Sequence, residues 1–113
     1  MYALYWQHKK KRHSVYIVEP AQGFYVQTLY CFDGKGKLEG VDFEIGTNLG
    51  WGHRAEGPVD GDGFDATRVE FFRTLDGKAI QRPFGPGEVP PSLKPRLYPT
   101  MSDLPFAFLL DVP

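Results

Sequence analysis

Polar and apolar positions alternate with a period of two along much of this 113-residue chain. Residues 24–32 set Phe24, Val26, Thr28, Tyr30 and Phe32 against Tyr25, Gln27, Leu29 and Cys31. Residues 41–45 put Val41, Phe43 and Ile45 on one side and Asp42 and Glu44 on the other. Successive side chains of an extended backbone point to opposite faces, so this period predicts strands with one buried side. Residues 2–7 and 14–18 read as the arms of a first hairpin tipped by His8-Lys9-Lys10-Lys11-Arg12-His13, and Pro20 and Gly23 then interrupt the pattern.

Turn chemistry separates these runs. Asp33-Gly34-Lys35-Gly36-Lys37 follows one strand and Asp76-Gly77 follows another. Asp-Gly suits a hairpin because its tight turns require positive φ, which Gly accepts freely and Asp tolerates. Gly40, at the start of the 41–45 run, marks a bulge or a close backbone approach. Residues 66–75 carry two signals. Ala66, Val69, Phe72 and Leu75 recur at helical spacing, but Phe71-Phe72 leading into Asp-Gly favours a strand.

Residues 46–63 hold six glycines and Pro58 with little periodicity, which predicts a long connection, and such loops often carry function. Seven prolines between 83 and 105 exclude a helix or central strand and predict an extended strap. Phe106-Ala107-Phe108-Leu109-Leu110 then reads as a final buried strand. The expected fold is all-β: a small antiparallel barrel, roll or sandwich of six to eight strands, with at most one short helix. It forms one domain over residues 1–113, with 83–105 as a Pro-rich C-terminal strap.

Composition narrows this. With 42% hydrophobic and 15% aromatic residues the chain is too apolar for disorder. The single Cys31 excludes an intrachain disulfide and a Cys-rich zinc site. No apolar run approaches the roughly 20 residues that span a bilayer, and no basic segment precedes a long apolar stretch at the start, so a cytoplasmic protein without membrane association is expected. The net charge of −1 is unevenly spread: Lys9, Lys10, Lys11 and Arg12 cluster early, whereas residues 38–70 are strongly acidic.

Candidate chemistry centres on Trp51, His53, Arg54 and Glu56, four residues within six positions. Trp and Arg are frequent binding hot spots, so this segment, helped by Asp42 and Glu44 on a strand face, is the expected site for a protein partner or small ligand. Trp51 as a plug at one end of the core is the competing structural reading. His53 with Glu56 or another carboxylate gives an alternative, a small hydrolase or isomerase. A further alternative is a polyanion binder acting through Lys9, Lys10, Lys11 and Arg12, although the acidic middle of the chain argues against nucleic acid. Asp60-Gly61-Asp62-Gly63-Phe64-Asp65 suggests calcium, but the sixth position is Asp65 rather than Gly and the twelfth is Phe71 rather than Glu, so no metal or other cofactor is expected. The strap and the apolar segment after it suggest strand exchange in a homodimer. No nucleophile elbow, Gly-rich phosphate loop or His-x-x-x-His pair is present, and a non-enzymatic binding module is the leading expectation.

Overall fold

A computed structural model of the chain describes residues 2–61, 63–76, 78–82, 84 and 93–109. Eight strands form one antiparallel sheet: β1 (Tyr2–Gln7), β2 (His13–Ala21), β3 (Phe24–Phe32), β4 (Leu38–Thr47), β5 (Trp51–Asp60), β6 (Gly63–Phe64), β7 (Arg68–Leu75) and β8 (Lys78–Ile80). The spatial order is β1-β2-β3-β4-β5-β7-β8, with the two-residue β6 pairing only the end of β5. The sheet curls into a half-barrel, and among the described residues only short 3-10 turns interrupt the all-strand architecture. This is the antiparallel fold the alternation predicts, at the upper end of the expected strand count.

Each hairpin forms where the chain can turn sharply. The β2–β3 turn uses Gly23 at φ +84°, and the β7–β8 turn holds Asp76 at φ +53°. In the β3–β4 turn the Asp33 carboxylate accepts from the amides of Lys35 and Lys37, both at 2.9 Å. Those backbone bonds hold the Asp33 carboxyl below the usual range. The β3–β4 register shifts between Cys31, opposite Gly40, and Phe32, opposite Leu38. The bulge expected near Gly40 is therefore present, with Glu39 as the extra residue.

Two expectations are corrected. Residues 46–63 are not a long loop. Only Asn48, Leu49 and Gly50 lie between β4 and β5, and Trp51–Asp60 pairs with β4 on one side and β7 on the other. Gly46 and Gly52 sit opposite each other there, and aromatic rings from the outer strands cover them: a Cβ on Gly46 would fall on the Tyr25 ring and one on Gly52 on the Phe72 ring. Glycine marks close side-chain approach at these positions, not a break in the strand. The closing segment is also not a strand. Ala107–Leu109 is a 3-10 turn with Phe108 83% and Leu109 72% exposed; Leu110 lies outside the described residues.

One face of the sheet carries the core. Val15, Ile17, Tyr30, Phe32, Val41, Phe43 and Ile45 are buried there, joined by Leu38, Met101 and Leu104. The described part of the strap lies across this face: Leu97, Tyr98, Phe106 and Ala107 pack on the cluster. Three hydrogen bonds tether it, from the Tyr30 hydroxyl to the Arg96 carbonyl at 2.7 Å, from the Leu38 amide to Pro99 and from the Met101 amide to Gly36, both at 2.9 Å. Thr100 and Asp103 form a reciprocal capping box that fixes the turn presenting Met101. The strap thus takes the place of a second sheet as cover for the core, and among the described residues nothing comparable covers the opposite face of the strands.

Candidate functional site on the polar face of the sheet

Strand parity decides which candidate residues meet. Asp42 and Glu44 on β4 share a face with Arg54 and Glu56 on β5, because Glu44 lies opposite Arg54 and Asp42 opposite Glu56. Trp51 and His53 have the other parity. His53 lies opposite Ile45 and Phe71 and is 1% exposed, within the core layer. The six expected binding residues therefore separate into a group of four on the polar face and a pair on the other. His53 and Glu56, three positions apart on one strand, face opposite ways and do not form an acid–base pair.

On the polar face, charge is organised by two cross-strand rows. Leu29, Asp42, Glu56 and Arg68 occupy one, and Gln27, Glu44, Arg54 and Glu70 the next. Asp42 directly opposes Glu56, an unfavourable like-charge pair in isolation. Arg54 resolves it by donating to both Asp42 oxygens, at 3.0 and 2.7 Å, with Glu56 3.8 Å away. The same contacts push the Arg54 guanidinium above its ordinary value. Arg68 continues the ladder, 3.5 Å from Glu56 and hydrogen-bonded to Glu70 through Nε at 2.8 Å.

Glu44 stands apart. Among the described residues no cation lies within ion-pair distance of its carboxylate, which accepts instead from the Tyr25 hydroxyl at 3.2 Å. Burial, then the Glu44 charge, pushes the Tyr25 phenol up to about 12. Tyr16, whose phenol is also raised by burial, completes the surroundings. These groups enclose a groove of about 300 Å³ lined by Tyr16, Gln27, Leu29, Asp42, Glu44 and Arg54. Gln27, Leu29 and Tyr25 are site residues the sequence reading missed, and Tyr16 figured there only as an aromatic near the basic tip. Their signal was available: they are the minority parity of β2 and β3, the positions left over once the buried face is assigned.

The basic candidates lie elsewhere. Lys9–Lys11 forms a 3-10 turn at the β1–β2 tip, with Lys11 at φ +61°; the side chain of Lys10 lies outside the described set. Arg12 is 3.8 Å from Glu39, His8 bonds Ser14 at 2.8 Å and His13 bonds the Tyr5 hydroxyl at 2.6 Å. Cys31 is half-buried, and burial raises its thiol, the opposite of what a nucleophile needs. Asp62 lies outside the described residues.

No protein-family model, no curated protein and no solved structure matches this chain. Among the described residues no helix is long and apolar enough to cross a membrane.

Proposed function

We propose that this protein is a non-enzymatic binding module whose polar sheet face receives a cationic group from a protein partner or small ligand. The observation that carries this reading is the Glu44 carboxylate on the wall of the groove, which accepts from Tyr25 and, among the described residues, has no cation within ion-pair distance. Arg54, its cross-strand neighbour, is held on Asp42 by two hydrogen bonds and meets Glu44 only as a more distant charge, so a positive group entering the groove finds an acid that is only partly compensated. Tyr16 and Gln27 line the same groove, the tyrosine offering an aromatic surface and the glutamine an amide. Across the ladder four carboxylates face two guanidiniums, which gives the face a net negative field and steers a cation toward it.

The geometry does not favour the hydrolase or isomerase alternative, since the only histidine in that scheme is inside the core with its carboxylate partner on the far side.

Titration with N-acetyl-arginine amide, followed by amide chemical shifts, tests the reading. Shifts should concentrate at Tyr16, Gln27 and Glu44 and weaken with added salt. Glu44→Gln, which keeps shape and removes charge, should weaken binding about tenfold or more, the scale of losing one charge-assisted contact. Equal binding by the wild type and Glu44→Gln would contradict it.

A further inference from the structure

The two edges of the sheet are treated differently. β8, at one end, has three residues and begins with Lys78, both ordinary devices for discouraging strand addition. β1, at the other end, has six residues, Tyr2-Ala3-Leu4-Tyr5-Trp6-Gln7, with no charge and no proline. It pairs with β2 residue for residue from Tyr2 to Gln7 without a bulge. Among the described residues no strand lies on its outer side. Yet it carries four large side chains at substantial exposure: Tyr2 57%, Leu4 49%, Tyr5 39% and Trp6 45%.

We propose that β1 is an association edge that pairs antiparallel with β1 of a second copy of this chain, joining two half-barrels into one continuous sheet. The sequence of the strand selects this occupant. Tyr2, Leu4 and Trp6 share one face, because they oppose Val18, Tyr16 and Ser14 in turn. A two-fold axis through Leu4 sets Leu4 against the second copy's Leu4 and Tyr2 against its Trp6, and then Trp6 against its Tyr2. The row is its own complement, as an isologous interface requires, and aromatic cross-strand pairs are among the more stabilising in a sheet. On the other face the same axis sets Ala3 against Tyr5, a small residue beside a large one.

Area and charge agree with a second copy. Aromatic side chains bury roughly 150–250 Å² each, so these half-exposed groups carry on the order of 400 Å² per copy. Full cover of these groups in two copies would reach at most about 800 Å², and the paired backbones and turns must supply the rest of the ~1,000 Å² a biological interface needs. Antiparallel pairing also brings the Lys9–Arg12 turn of one copy toward the far end of β2 in the other, where Glu19 is exposed. Leu4 adjoins Tyr16, a wall of the groove, on the same face, so the two proposals are told apart by their readouts: sedimentation reports the edge, and the charge dependence at Glu44 reports the groove.

Sedimentation velocity across a concentration series tests the edge. The wild type should sediment as a dimer. Leu4→Lys, with an unchanged circular dichroism spectrum, should raise the dimer dissociation constant about tenfold or more, since like charges then face each other across the axis. Leu4→Cys in a Cys31→Ser background should form a disulfide-linked dimer with oxidised glutathione, because directly opposed residues of an antiparallel pair have Cα atoms about 4.5–5.5 Å apart, a separation a disulfide can bridge. A wild type that stays monomeric overturns the proposal, as does a dimer that Leu4→Lys leaves intact and Leu4→Cys does not cross-link.

Discussion

His53 is the residue whose chemistry is least like its surroundings. Its ring is 4.9 Å from the Phe71 ring and 6.3 Å from that of Phe43, and among the described residues neither nitrogen has a hydrogen-bond partner. An unsatisfied buried polar group costs about 1–3 kcal/mol. Burial also lowers the imidazole pKa from its ordinary 6.5. Above that value both folded and unfolded chains hold it neutral, and it adds no pH dependence. As pH falls through 6.5 the unfolded chain takes up a proton that the folded one refuses, so stability drops until the lower, native value is passed. His53→Leu should therefore raise stability at neutral pH by about 1–2 kcal/mol. It should also flatten the acid side of the urea-midpoint profile. A variant as acid-sensitive as the wild type would show that His53 does not set that slope. The sequence grouped His53 with Trp51, Arg54 and Glu56 as a candidate binding patch; only strand parity reveals that it faces inward.

Among elements, β5 was the hardest to read. Its neighbourhood looks like a loop because glycine and proline normally interrupt strands. The contacts that make Gly46 and Gly52 suitable come from Tyr25 on β3 and Phe72 on β7, distant in sequence and invisible to any local pattern. By contrast β3 and β4 were legible, since their alternation and their Asp-Gly turn are local and agree. Gly57 illustrates the same limit. A Cβ there would collide with the backbone carbonyl of Asp65 and lie 2.9 Å from the Thr67 amide, where the chain returns to β7. Because the obstacle is backbone and not a movable side chain, Gly57→Ala should cost about 1–3 kcal/mol in urea unfolding. An unchanged midpoint would mean that the crossing is looser than its geometry indicates.

Across the whole molecule, one sheet separates two kinds of chemistry. The apolar parity is sealed by the strap through Met101 and Leu104, while the polar parity stays open as the Asp42–Arg54–Glu56–Arg68 ladder and its groove. The all-β class was legible from alternation, but a curled single sheet and a sandwich share that alternation. What distinguishes them is the cover over the core, and here it comes from a proline-rich segment that no strand pattern identifies. The same ambiguity placed Trp51 and His53 in one expected site with Asp42, Glu44, Arg54 and Glu56, although the sheet divides them. A side-by-side titration of the wild type, Glu44→Gln and Trp51→Ala with N-acetyl-arginine amide tests this division most directly. The polar-face assignment predicts that Glu44→Gln loses the response and Trp51→Ala, folded by circular dichroism, keeps it. Loss in Trp51→Ala with retention in Glu44→Gln would move the site to the opposite side of the sheet.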